Sequence, residues 1–486
     1  MNRTLKSRGA WLALHLIAVA VAIMFAPQVS PALNLLGVAG VTTTTASLDN
    51  LMKVLYSDPL IVDIVAESEL MSLFKTDMNV KTEETTGGKY IEFAHYLRLA
   101  GAAGARAEND YIPVPQSPRA INSRIYLKKI MGVVEMSGDV MEKVVNDEGS
   151  FINYMERALP DTKERVTTEM DRMYIGFGAG IKARVAAGWV AAGRLPADLR
   201  VDRALGVTGY EDAWLQFQEG ETIVFSSTPA GAVIKNAGTT QAALVENITE
   251  NAGANVGSLS ITADAALIAA IADNDYIFGG DQAGTSSQNG GVDRELAGLL
   301  AAVDNGGILA TYNNVSRAGN RQFNARVIDA SVAPYNGKLT EDLLTIADAI
   351  TSTSTSSKID TLVMSPHAPI GYWQSLKINR VLNDPRNYTG GKGSLSIALG
   401  DRSLPFKTAR KLPPQVAFGL NTSTWRRFTL GTWQWMARGG SIWNLVTDNI
   451  GRKDAYFAFG KMYEQLACIM PRRNFRIDGL LRAFNY

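Results

Sequence analysis

Few residues in this sequence stand at a spacing that could do chemistry. Gly390–Ser394 (GGKGS) has the glycines and lysine of a loop whose backbone N–H groups cradle phosphate oxygens. The order GxxxxGK[ST] is absent, because Gly393 follows Lys392, so no hydroxyl stands where a magnesium ligand belongs. Ser365 and His367 flank Pro366 on a predicted strand-to-helix turn. From there a hydroxyl and an imidazole do not meet as nucleophile and base, and there is no GxSxG elbow. His367 reads as a helix-start residue, and Cys468, inside LACIM, as core filler. His15, His95 and His367 lie far apart without metal-ligand spacing, and a single cysteine excludes both a Cys-rich metal site and an intrachain disulfide. We therefore expect no catalytic, cofactor or metal site, and no enzyme.

Two further groups invite a binding role. Trp425, Trp433, Trp435 and Trp443 could stack sugars or nucleobases, but Trp433 and Trp435 alternate along a strand and read as packing or interface anchors. Arg426–Arg427, Arg452–Lys453, and Arg472–Arg473 with Arg476 are local excesses of positive charge. They read first as a solvated face or inter-subunit ion pairs. Arg472, Arg473 and Arg476 are also the candidates for weak, sequence-independent contact with DNA phosphates. The totals exclude tight nucleic-acid reading by the whole chain: 48 basic residues against 47 acidic give a net charge of +1. With 46% hydrophobic and 20% charged residues the composition is globular, and 486 residues predict two or three subdomains.

The elements that must carry these residues centre on Asp147–Gly178. Apolar Phe151, Met155, Ala158, Leu159, Val166, Met170, Met173 and Phe177 follow a helical repeat. Ser150 suits the start and Gly176 and Gly178 the stop. Asp161, Lys163, Glu164, Arg165, Glu169, Asp171 and Arg172 predict a solvated opposite face, and Pro160 predicts a kink or a restart at Asp161–Thr162.

Upstream, Lys89–Leu97 and Ile121–Val134 predict two strands joined by a tip of about 23 residues, rich in Gly, Ala and Pro. A long structureless tip suits contact with another subunit better than a solitary domain. Downstream, Gly188–Val207 reads as loop, and Glu219–Asp281 as short strands (ETIVFS, AVIKNA, ALVENIT, SLSITA, DYIFGGD) with one short helix, AALIAAIA. From Gly290 the pattern turns α/β. It predicts a helix over Asp293–Val303, a helix capped by Thr340, the buried strand IDTLVM, a helix after Pro366, and late strands around FKTA, VAFGL, WRRFTL and KDAYFAFGKMYEQLACIM.

The amino terminus is the odd part. Arg3, Lys6 and Arg8 precede an apolar head, residues 9–26, and a Thr/Ser-rich linker follows at 41–50. The pattern fits a signal peptide or short anchor, an apolar arm packing between subunits, or an upstream extension. We favour the arm, trimmed during maturation, and read membrane attachment as disfavoured.

The order of these parts resembles the major capsid proteins of tailed bacteriophages, the Hong Kong phage type of fold. The phrases LVMSPHAPIGYW and WQWMARGGSIWNLVTDN–GRKDAYFAF carry most of the likeness, which spans about Leu48 to Phe475. The resemblance implies an α+β fold. Its parts would be an N-terminal arm (1–77), an E-loop hairpin (78–140), a P domain with its spine helix (141–204), an inserted β subdomain (205–285), an A domain (286–450) and C-terminal strands returning to the P domain (451–486). It implies inter-subunit contacts through Arg106, Glu108, Tyr111, Lys128 and Lys129 of the E-loop, and a capsomer-axis loop carrying Asp384, Arg386 and Lys392. It implies a chain that builds hexamers and pentamers of an icosahedral head around double-stranded DNA, assembled in the host cytoplasm and residing in the virion. Portal and scaffold or decoration proteins would be its other partners. An encapsulin-like compartment and a secreted surface-array or adhesion protein are the alternatives.

Overall fold

The computed structural model describes residues 70, 73–74, 81–84, 90–139 without 107 and 109, 154–235, 242–250, 257–280, 294–355, 358–377, 396–399, 402–437, 441–447 and 452–482. The apolar head, the Thr/Ser linker, Ser150, the GGKGS loop, and Asp384, Arg386 and Lys392 lie outside them. No described helix is long and apolar enough to cross a membrane.

The chain begins with β1 (Lys81–Glu84), the hairpin strands β2 (Ile91–Arg98) and β3 (Arg119–Ile125), and β4 (Lys128–Ser137). The single strand expected over Ile121–Val134 is thus two. It breaks at Tyr126–Leu127, and its halves join different sheets: β3 pairs with β2, while β4 pairs with the distant C-terminal segment. Helix α1 (Tyr154–Ile175) follows. It continues through Pro160 instead of restarting after it. Pro160 is exposed and sits in the second turn, where the missing N–H removes one helical bond while Ala158, Met170, Tyr174 and Ile175 pack inward. Gly176 N–H closes the last turn on the Arg172 carbonyl at 3.1 Å, and Gly178, at φ +88°, turns the chain away.

Next comes a closed barrel built from β5 (Ile181–Val185), β6 (Leu199–Asp202), β7 (Thr222–Ser226), β8 (Ala242–Thr249), β9 (Gly257–Thr262) and β10 (Tyr276–Gly279), in the order β10-β5-β6-β9-β8-β7. The barrel therefore opens at Ile181 and not near residue 205. The stretch read as loop supplies β6, and β5 lies just before it; the short alternating patterns of both are interrupted by turns. Of AVIKNA, the described residues 232–235 hold no strand, and Ile234 bridges to Ser226. Alternate residues Ala183, Val185, Leu199, Val201, Ile223, Phe225, Ala243, Val245, Leu259, Ile261 and Ile277 join one buried cluster, the period of two that a barrel requires. Helix α2 (Ala265–Ala270) is capped by Asp264, which accepts from Ala266 N–H.

Beyond the barrel, α3 (Leu299–Ala302) is one turn where a longer helix was expected. The chain before it is drawn out along α1: Ala297 bridges to Phe177, and Gly298 N–H bonds to the Gly176 carbonyl at 3.0 Å. A Cβ on Gly298 would lie 2.1 Å from the Tyr174 carbonyl oxygen, so only glycine allows this approach.

The hairpin β11 (Thr311–Tyr312) and β12 (Val315–Ser316) leads to β13 (Arg326–Asp329). Helix α4 (Glu341–Thr355), capped by Thr340 Oγ1, then strand β14 (Thr361–Met364) and helix α5 (His367–Lys377) follow. Strands β15 (Ser396–Leu399), β16 (Arg402–Thr408) and β17 (Ala417–Leu420) complete this region. The last strands are β18 (Trp425–Thr429), β19 (Gln434–Trp435), β20 (Asn444–Thr447), the 17-residue β21 (Arg452–Cys468) and β22 (Phe475–Asp478).

They divide between two sheets. A mixed sheet runs β13-β22-β17-β14-β16-β15. Leu362, Met364, Ala417, Phe475 and Ile477 face a core with α4 and α5 residues, while Val363 and Phe418 join the main cluster on the other side. The second sheet is organised by β21. One edge of that strand takes β4, and the other takes β18, β19 and β20 in turn, with β1 outside β18. Strands β18 to β20 therefore lie with α1, not in the α/β unit where they were expected. Conversely β22 returns to the α/β sheet instead of joining β21.

Candidate assembly surface

The β2–β3 hairpin is half anchored. Along β2, residues at one parity are half-buried and those at the other exposed. Phe93 meets Phe428 with ring centroids 5.7 Å apart. The His95 ring stands edge-on to Phe323 at 5.0 Å and shares a 2.8 Å hydrogen bond with Ser123, and burial pulls its pKa down. Arg124 N–H bonds to the Asn313 carbonyl at 2.9 Å.

Past Arg98 the anchoring stops. Leu99 is 79% exposed, Tyr111 90%, Ile112 89% and Val114 78%, in a tip closed only by the Gly101–Gln116 bridge. Burying a Leu or Ile side chain is worth about 1.5–3 kcal/mol, so this cluster forgoes several kcal/mol in the single chain. Arg106 and Asp110 form an exposed 3.7 Å ion pair beside it, and Glu108 is exposed.

The other candidates separate from the tip. Lys128 and Lys129 belong to β4, in register with Glu464 and Tyr463, and not to the projecting hairpin. Lys129 is exposed there. Arg472 and Arg473 are half-buried on a 3-10 turn, whereas Arg476 is 3% exposed. Its reading as a DNA-facing residue is therefore corrected. Phe475 and Ile477 point to α4 and α5, and strand alternation turns Arg476 the other way. There its guanidinium lies 3.4 Å from Asp304 and 2.9 Å from Asp478, and donates to the Val303 carbonyl at 3.0 Å.

Charged residues predicted to be solvated on α1 are also inside. Arg172 is fully buried, paired with Glu295 and, at 2.7 Å, with Glu169. Lys182 of β5 reaches Glu169 at 3.0 Å and Glu221 at 2.6 Å, and Lys411 Nζ donates to the Thr168 carbonyl at 2.7 Å. Three carboxylates meet three cations, tying α1 to the barrel and to the segment before α3. Burial opposes the charge on Glu169, but Arg172, Lys182 and Lys411 hold its carboxyl well below the usual range. Burial pushes Glu295 up and pulls Lys411 down to about 8. Deeper along the helix, Tyr174 donates to Glu464, which also receives Arg427 through Nε and, at 2.6 Å, through Nη2. No spacing in the sequence marks these groups, whose partners are up to 290 residues apart.

Ser365 and His367 are both buried at the start of α5. The Cys468 thiol is buried and pushed up to about 11, with Thr424 Oγ1 at 3.4 Å and Asn474 Nδ2 at 3.3 Å. Among the described residues no group of three or more His, Cys, Asp or Glu could hold a metal. Trp425 is buried, its Nε1 donating to Asn474 at 3.2 Å, and Trp433 and Trp435 stack edge-on at 5.6 Å.

The overall fold recurs in solved structures. A chain of the cyanophage A-1(L) capsid asymmetric unit matches 89% of this chain and 98% of its own length, with a TM-score of 0.50 at 9% identity. The chain has the Hong Kong phage type of capsid fold. Chains from the SrpI encapsulin complex of Synechococcus elongatus (TM-score 0.37, 10% identity, 92% and 98% covered) and from Mycobacterium phage Bobi (0.40, 10%, 90% and 99%) are similar at lower scores. No protein-family model and no curated protein matches the sequence.

Proposed function

We propose that this chain is a structural shell protein, a phage major capsid protein that assembles into hexamers and pentamers of an icosahedral head enclosing double-stranded DNA. The observation that carries the reading is the E-loop tip, whose four large apolar side chains are left largely exposed by the described residues of their own chain. A second copy of the chain is the fitting partner, because a repeated tile can supply the same receiving surface at every contact. Arg106, Glu108 and Tyr111 would make that contact, with Lys128 and Lys129 at the foot of the hairpin. Portal and scaffold or decoration proteins would complete the head. The axis loop with Asp384, Arg386 and Lys392 would line each capsomer. Assembly would occur in the host cytoplasm and the product would be the virion, with Arg472 and Arg473 making weak contact with packaged DNA.

Negative-stain microscopy of the expressed chain tests the proposal. Closed particles or capsomer rings are expected. Dispersed monomers at high concentration would refute it.

A further inference from the structure

Two tight turns far apart in sequence meet beside β13. Arg321–Phe323 forms one 3-10 turn, Pro471–Arg473 forms another, and Arg326 opens β13 between them. They enclose a crevice of about 410 Å³ lined by Asn305, Arg321, Asn324, Arg326 and Arg472 together with the small apolar residues Ala325 and Val327. Three arginines line it, and no acidic residue is among the lining residues.

The neighbouring acid is already committed. Asp304 faces Arg476 at 3.4 Å, and its Oδ2 accepts from the N–H groups of Gly306, Ile308 and Leu309. Among the described residues, the Nε atoms of Arg326 and Arg472 and the Oδ1 of Asn324 are buried without a hydrogen-bond partner. Burial, with Arg321 and Arg326 alongside, pulls the Arg472 pKa down, as expected where like charges crowd together unneutralised. A chain with 47 acidic residues against 48 basic has acids to spare, so three arginines gathered without one is not a result of composition.

We propose that this crevice is a binding site for a phosphate-class anion, either the phosphodiester backbone of nucleic acid or a free phosphate. The planar guanidinium fork matches two oxygens of a phosphate at once, which an ammonium does not. Three such forks suit a ligand carrying several negative oxygens better than one carboxylate from a neighbouring copy, which would leave two charges unmatched. The site stands apart from shell formation and is measurable on dispersed chain. It adds Arg321 and Arg326 to Arg472, and makes the contact a saturable site instead of a diffuse lining.

The test uses the purified full-length chain with a short fluorescein-labelled oligonucleotide, single- or double-stranded, and separately with inorganic phosphate. The double variant Arg321→Gln/Arg472→Gln is compared with Arg200→Gln, an exposed arginine on the barrel. Arg321 is itself exposed, so a single Arg321→Gln variant keeps the test open if the double variant misfolds. We expect the double variant to bind oligonucleotide about tenfold more weakly. Its log–log salt slope should fall by about 1.4 for a single strand or 1.8 for a duplex, the loss of two phosphate contacts. Arg200→Gln should match wild type. Phosphate that raises the melting temperature of wild type but not of the double variant, without oligonucleotide binding, would assign the free anion as the source. Equal affinity and slope in all three proteins would overturn the site, as would a wild type that binds neither probe. So would a double variant that loses self-association while its anion binding is intact, which would give the crevice to a carboxylate of a second copy.

Discussion

Gly132 of β4 and Gly460 of β21 pair directly across the sheet, and the Trp433 ring lies over both. A Cβ on Gly460 would stand 2.1 Å from Trp433 Cζ2, and one on Gly132 would stand 2.8 Å from Val166 of α1. The two glycines form the flat spot on which helix and indole settle.

Gly460→Ala should therefore destabilise the fold by about 1–3 kcal/mol through overpacking. Urea unfolding reads this directly. Gly104→Ala, at an E-loop position with nothing within 4 Å, should leave stability unchanged.

Lys411 sets a pH dependence. Its folded pKa is about 8 against an ordinary 10.5, because it is buried. Between those values the unfolded chain still holds the proton and the folded chain has released it. Stability contributed by this group therefore rises as pH climbs from about 8 to 10.5, and is flat below 8. The stability difference between wild type and Lys411→Met, measured by denaturant titration across this window, should move in wild type's favour with rising pH.

Arg476→Gln should act on folding and not on DNA. Removing one member of a buried ion pair costs about 3–5 kcal/mol, because Asp304 is left uncompensated. A variant that melts well below wild type, yet binds oligonucleotide equally at low temperature, is the expected pattern.

Cys468 should resist N-ethylmaleimide at neutral pH in the native chain and react fully in guanidinium. Burial removes access, and the raised pKa removes the thiolate. Mass spectrometry of the intact protein distinguishes the two states.

Tyr111→Ser/Ile112→Ser should leave the melting temperature of the single chain within the scatter of surface substitutions, about 0.5 kcal/mol, because both side chains are already in water. Self-association by light scattering should be lost.

Several elements were legible because their signal is local. The apolar repeat from Ala158 to Met173 marked α1, Thr340 the cap of α4, and TLVM a fully buried strand, since each depends on neighbours within a few residues. Other features depend on partners the sequence does not bring near. Glu169 and Arg172 read as solvated charges, and Glu295, Lys182 and Glu221 arriving from other elements draw them into an interior network. The break at Tyr126–Leu127 was hidden because both halves have strand composition, and pairing alone assigns them to separate sheets. Arg472, Arg473 and Arg476 look alike in sequence. Periodicity fixed by Phe475 and Ile477 buries the last, and the crevice needs Arg321 and Arg326 from about 150 residues upstream. Read alone, the sequence settles the long helices α1, α4 and α5, about half the strands and the lack of a familiar catalytic spacing, because propensity and period are short-range. The tertiary structure alone decided which charges are inside, which strands share a sheet and which arginines share a crevice, because burial and Coulomb contact depend on distance in space and not along the chain.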